Sequence, residues 1–204
     1  YAWALPEIEA FKQLDATTNY APGSILFMGS SSIRLWDSLT EDMAPLPIIQ
    51  RGYGGAHFRD LIFYVDTLLN QHDLRMVVCF VANDISQNKS DESTKKILNN
   101  YDYVVKRIRK KYPTIPILQL SITPTESRWH LWSQIDALNK GLKSYCQSHD
   151  NMYFLETTSH FLNEAGQPKS ELFRKDKLHL NKEGYALWNR LVKPEIERIL
   201  AIQN

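Results

Sequence analysis

The sequence predicts an α/β fold in which helices cover both faces of a parallel sheet. The first observation behind this is rhythm: short apolar runs alternate with longer amphipathic stretches along the whole chain, the pattern of repeated strand and helix units. The second is spacing, because the stretches between apolar runs are long enough for right-handed crossovers between parallel strands. The third is continuity. The 204 residues hold no internal repeat, no low-complexity segment and no linker rich in Gly, Ser or Pro, so one domain over residues 1–204 is expected.

The elements follow in order. Leu5-Pro6-Glu7-Ile8-Glu9-Ala10-Phe11 has helical spacing and is expected to pack outside the sheet. Ile25–Met28 is wholly apolar and gives the first strand, after which a cluster of hydroxyls opens a helical pattern over Ser32–Leu39. Ile48–Gln50 gives a short second strand, and the amphipathic stretch Arg59–Asn70 returns the chain. The third strand, Met76–Val81, lies in the longest unbroken apolar run, seven residues ending at Ala82, and a long helical pattern follows over Ser93–Tyr112. Ile117–Leu120 and Met152–Leu155 are the fourth and fifth strands, separated by a helix over Leu131–Ser148. A short helix over Thr157–Leu162 and a final one from Lys182 to about Ile202 complete the reading. In open sheets of this class ligands bind beyond the carboxyl ends of the strands, so the residues just after each strand carry the search for chemistry.

Composition narrows the partners. Lys and Arg number 24 against 23 Asp and Glu, a net charge of +1 with the signs interspersed, so there is no broad field to hold nucleic acid or an anionic membrane surface. A seven-residue apolar run is far below the roughly 18 that a membrane span needs. The two cysteines, Cys79 and Cys146, are expected to be buried free thiols. The chain opens at Tyr1 without an initiator Met, so removal of an upstream segment, including an export signal, is one expectation.

Four segments stand where chemistry is sought. Gly29-Ser30-Ser31-Ser32 joins the first strand to a helix, where unpaired amides favour a developing oxyanion; serine is equally a favoured N-cap. Tyr53-Gly54-Gly55 follows the second strand and offers either a flexible turn or a backbone amide close to a ligand. Asn83 ends the third apolar run, as an oxyanion donor or the start of an Asx turn. Asp176 and His179 precede the last helix at a spacing that lets the carboxylate accept from one imidazole nitrogen while the other faces a substrate. No His, Cys and acid cluster has metal-ligand spacing, and the glycine patterns of Walker-type and dinucleotide sites are missing, so neither metal nor cofactor is expected.

Taken in order, these segments resemble the SGNH or GDSL hydrolase family, whose members carry Ser, Gly, Asn and His in four separated blocks. The resemblance runs from residue 25 to residue 188 and implies a flavodoxin-like, three-layer α/β/α fold with a five-stranded parallel sheet. It implies Ser31, two residues after Gly29, as nucleophile, Asp176 and His179 as its partners, and Ser31, Gly55 and Asn83 as oxyanion donors. Two positions depart from the family pattern: Ser30 replaces the Asp before the nucleophile, and Val81 replaces the Gly two residues before Asn83, adding bulk beside the site.

The resemblance therefore implies a serine esterase acting without cofactor. The expected substrates are short-chain carboxylic esters, with O-acetyl groups on carbohydrate foremost and lysophospholipase or thioesterase activity as the alternative. A phosphate- or flavin-binding module and a silent sugar-binding relative are the rivals from other classes. Tyr53 and Trp129 are taken as substrate contacts; Trp36, Phe58 and Trp132 are weaker candidates, with packing as the competing role of all five.

Overall fold

Strand segments buried against a core satisfy their backbones by pairing side by side, and here five of them pair in parallel. A computed structural model describes residues 1–203, with strands β1 (Ser24–Gly29), β2 (Ile48–Gly52), β3 (Leu74–Phe80), β4 (Ile117–Leu120) and β5 (Met152–Leu155) in the order β2-β1-β3-β4-β5. This is the flavodoxin-like order, and the chain reverses direction across the sheet between β1 and β3.

Alternation along the strands sorts the core into two layers. Leu26 and Met28 of β1 join one apolar cluster, and Ile25 and Phe27 join the other. On the first face lie α1 (Leu5–Thr17), α4 (Phe58–Leu69), α5 (Thr94–Lys111) and α6 (Trp132–Gln147); on the second lie α2 (Ser31–Arg34), α3 (Leu39–Met43) and α7 (Lys182–Gln203). Trp188, Val192, Ile196 and Ile199 of α7 are fully buried, each fully buried apolar side chain contributing about 1.5–3 kcal/mol. Cys79 and Cys146 are buried free thiols. Among the described residues no helix is long and apolar enough to cross a membrane.

The differences from the sequence reading have local causes. The helix expected over 32–39 is two short ones, because the Gln50 side chain donates to the carbonyls of Ile33 (2.6 Å) and Trp36 (3.1 Å) and so occupies acceptors that a continuing helix would use. Beyond that break Trp36 Nε1 and Ser38 Oγ both donate to Asp42 Oδ2, at 2.6 and 2.7 Å, which fixes the turn into α3. The stretch expected as a helix over 157–162 is a 3₁₀ turn at Thr158–Phe161, and another 3₁₀ segment, Glu126–Leu131, precedes α6. The amino-terminal helix extends to Thr17, well past Phe11.

The end of β3 is tied to the start of α4. Asp84 is buried and accepts from the Phe58 amide at 3.1 and 3.2 Å, while Asp60, one turn into α4, accepts from the His57 amide at 3.0 Å and from the Tyr53 hydroxyl. Two carboxyl groups thus share the positive end of one helix. Burial pushes the Asp84 carboxyl up to about 7; His57 and the Phe58 hydrogen bond pull it down, and Asp60 pushes it further up.

An ordinary aspartate titrates near 3.9, so the folded chain holds this proton more tightly than the unfolded one. The stability it confers is full below about pH 4 and is lost as the pH rises through about 7. Asp84→Asn keeps an acceptor for the Phe58 amide and carries no charge. It should gain on the wild type by on the order of 1–4 kcal/mol between pH 5 and pH 8. Urea unfolding of both proteins at the two pH values checks this; an unchanged difference would show Asp84 ionised throughout.

Candidate active site

The site forms where β1 and β3 end side by side. Gly29 has φ +140°, and a Cβ there would fall 1.8 Å from the Phe80 carbonyl oxygen, so only glycine fits. That closeness lets the Ser30 amide donate to Phe80 O at 2.9 Å, and the chain then enters α2 with Ser31 as its first residue. A first-turn amide has no carbonyl four residues back, which leaves the Ser31 N–H free of the helix's own bonding. On the other side a Cβ at Gly52 would meet Arg34 N at 2.4 Å, so α2 lies directly on the end of β2.

Of the three serines, Ser31 is the one whose side chain meets an imidazole. Its Oγ is 2.9 Å from His179 Nε2. Ser30 is buried at the N-cap of α2, and its hydroxyl makes no capping bond.

His179 is held by its own loop. Phe173 and Leu180 form an antiparallel bridge, the Arg174 amide donates to His179 O at 2.8 Å, and Lys177 turns the chain at φ +57°. Asp176 closes the turn by accepting from the amides of Leu178 and His179, each at 3.0 Å, and its Oδ2 lies 2.7 Å from His179 Nδ1. Partial burial raises the Asp176 carboxyl, but the hydrogen bonds from the His179 ring, the His179 amide and the Leu178 amide outweigh it and bring it down to about 2. A carboxylate on Nδ1 selects the tautomer with its proton there, and Nε2 then faces Ser31 as an acceptor.

Ser31, Asn83 and His179 line one small cavity of about 20 Å³, walled by apolar side chains that include Phe80, Ile122, Ile135, Leu178 and Leu180. Asn83 is fixed at both ends of its carboxamide: Nδ2 donates to Ala56 O at 3.0 Å, and Oδ1 accepts from Arg128 Nη2 at 2.8 Å. The nine-tenths-buried Thr123, whose Oγ1 has no hydrogen-bond partner, also lines the cavity. Among the described residues no cluster of three or more His, Cys, Asp or Glu side chains is arranged to hold a metal ion.

Other expected residues lie elsewhere. Gly55 has φ +68° on the exposed turn between β2 and α4, in contact range of Trp3 and outside the cavity lining. Tyr53, expected as a substrate contact, is fully buried because its hydroxyl donates to Asp60; Trp36 and Phe58 are likewise core residues. Trp129 is half-buried and stacks on Trp132 with centroids 5.6 Å apart, beside Arg128 but not in the cavity wall. Val81 adds no bulk to the site, since its side chain packs into the core on the α4, α5 and α6 face. Arg128 and Thr123 were not foreseen; a lone Arg in a polar loop and a Thr after an apolar run carry no signal in one sequence.

Solved structures share this architecture over nearly the full chain. A protein from Streptococcus pneumonia, provisionally described as a platelet activating factor, superposes with a TM-score of 0.83 at 22% identity, over 95% of this chain and 94% of that one. A GDSL-like lipase from Bacteroides thetaiotaomicron gives 0.79 at 18% identity, over 94% and 97%. A carbohydrate esterase family 3 protein from Talaromyces cellulolyticus gives 0.67 at 14% identity, over 88% and 98%. No curated protein matches the sequence. The GDSL-like lipase/acylhydrolase family model matches residues 22–187, from just before β1 into α7, and the chain belongs to that family.

Proposed function

We propose that the protein is a serine esterase that removes short acyl groups, acetyl foremost, from carbohydrate esters through an acyl-enzyme. The observation that carries this reading is the continuous line of contacts from Ser31 Oγ to His179 Nε2 (2.9 Å) and from His179 Nδ1 to Asp176 Oδ2 (2.7 Å), opening into a cavity. Ser31 Oγ attacks the ester carbonyl while His179 takes its proton, and the imidazolium then hands that proton to the leaving alcohol. Water repeats the sequence on the acyl-enzyme. Asp176, ionised across the working range, holds the tautomer and stabilises the imidazolium.

The oxyanion falls to the Ser31 amide and to the second Nδ2 hydrogen of Asn83, the first being engaged by Ala56 O. The Gly55 amide, the third donor that the family resemblance implies, sits on the exposed turn, and the resemblance alone supports it. A phosphate- or flavin-binding reading leaves the Ser31, His179 and Asp176 alignment without a task.

Acyl size is supported by volume. A single water needs about 10–15 Å³, so the space of about 20 Å³ beside Ser31 suits a methyl-sized group. The carbohydrate side rests on the description of one solved relative as a carbohydrate esterase and on the half-buried, stacked Trp129 and Trp132 pair that follows cavity-lining Arg128 in sequence, an aromatic surface suited to a sugar ring.

A fluorophosphonate adduct should map by peptide mass to Ser31. Ser31→Ala and His179→Ala, shown to be folded by circular dichroism, should each lower kcat by about 10⁴ or more. An adduct on Ser30 or Ser32, or near-normal turnover in His179→Ala, would overturn the assignment. On p-nitrophenyl esters from two to sixteen carbons, kcat/KM should be greatest at acetyl. A maximum at eight carbons or beyond would replace the deacetylase reading with a lysophospholipase.

A further inference from the structure

We propose that Arg128 is a positioning residue for the reaction, locking the Asn83 carboxamide in its one productive orientation and strengthening it as an oxyanion donor. This inference rests on the reading of Asn83 given above. Arg128 stands on the 3₁₀ segment Glu126–Leu131 and reaches the end of β3, where Nη1 donates to Ala82 O and Nη2 donates to Asn83 Oδ1 at 2.8 Å.

The lock follows from polarity. A carboxamide rotates about a broad, roughly two-fold torsion, so its oxygen and nitrogen could exchange places. In the observed orientation the oxygen meets a guanidinium that can only donate, and the nitrogen meets the Ala56 carbonyl that can only accept. Exchanged, Nδ2 would face donors and Oδ1 would face a carbonyl oxygen, turning both attractions into repulsions. The surviving orientation leaves one Nδ2 hydrogen unclaimed on a residue that lines the cavity.

The second effect is electrostatic. Arg128 is largely buried, lines the cavity itself, and makes no salt bridge with a carboxylate among the described residues, Asp91 acting on it only through space. Its charge is therefore not cancelled beside the site. Donation from a cation to Oδ1 polarises the amide and makes Nδ2–H a better donor to a developing oxyanion, in a setting of reduced dielectric.

A purely architectural role has less to explain it, because the 126–131 segment is already anchored. Lys177 Nζ pairs with Glu126 Oε2 at 2.6 Å, the Ser127 amide donates to Lys177 O at 3.2 Å, and Ser170 Oγ bonds Glu126. A lysine could not reproduce the clamp, since two acceptors on adjacent residues are met by the two arms of one planar fork.

The test is a double-mutant cycle on p-nitrophenyl acetate with Asn83→Ala, Arg128→Met and the pair. Asn83→Ala should lower kcat by about 10²- to 10³-fold. Arg128→Met should lower kcat by about 10- to 100-fold, the worth of one charge-assisted hydrogen bond realised in the transition state, with KM within about twofold. In the double variant the Arg128 change should cost nothing further, because it acts through Asn83. Added methylguanidinium should restore kcat to Arg128→Ala and leave the Asn83→Ala, Arg128→Ala double variant unmoved.

Normal kcat in folded Asn83→Ala would overturn the oxyanion reading itself. A crippled Asn83→Ala together with additive losses in the double variant, or a rise in KM at constant kcat in Arg128→Met, would overturn this inference alone. Should Arg128→Met fail to fold, Arg128→Lys takes its place in the cycle: a kcat deficit that vanishes in the Asn83→Ala background supports the clamp, and an unchanged kcat refutes it.

Discussion

Everything at the site depends on how closely β1 and β3 approach at their carboxyl ends. The Gly29 backbone passes so near Phe80 that no side chain fits between them, and the hydrogen bond from the Ser30 amide to Phe80 O closes the gap. This is the point where the sheet order reverses, so the two strands diverge beyond it and leave a crevice. β1 delivers Ser31 and β3 delivers Asn83 to the lining of one cavity. Any residue larger than glycine at position 29 would move Ser31 and Asn83 apart together, because the same contact sets both.

Around this fixed pair the remaining parts arrive from separate layers of the molecule. His179 and Asp176 come from a loop just before α7, stiffened by its own turn and bridge, so their geometry is local and owes little to the sheet. Arg128 comes from the approach to α6 and is tied to that same loop through Glu126 and Lys177. His179 and Arg128 therefore share a support, while Ser31 and Asn83 share another. Relative motion of the two supports is the coordinate along which the site could loosen.

What was legible in the sequence divides along the same line. Strands buried on both faces, as β1 and β4 are, announce themselves as apolar runs, and all five segments were readable to within two residues at each end although the edge strands β2 and β5 are only partly buried. The pairing of Asp176 with His179 was readable because the two stand three positions apart. The broken helix after Ser31 was not, since the breaking group, Gln50, belongs to another strand. Nor was the burial of Tyr53, decided by a hydroxyl contact to Asp60 across a turn, or the clamp of Arg128 on Asn83 across 45 residues. Val81 shows the reverse error: its position in sequence placed it beside the site, and the strand's alternation turned it into the core.

The similarity that identifies the family covers residues 22–187, yet the physical construction does not stop at those limits. Below residue 22, α1 sends Asp15 to the buried Arg51 of edge strand β2, whose guanidinium also donates to the Tyr20 hydroxyl at 2.9 Å, and sends Glu7 to the Gly54 amide at 3.0 Å. Above 187, the four deepest side chains of α7 fill one face of the sheet. A fragment trimmed to the matched span would strand a desolvated cation without its counter-charge and strip fully buried side chains from one layer of the core. The boundary of recognisable ancestry and the boundary of mechanical sufficiency are different lines, and anyone cutting this gene for expression should follow the second.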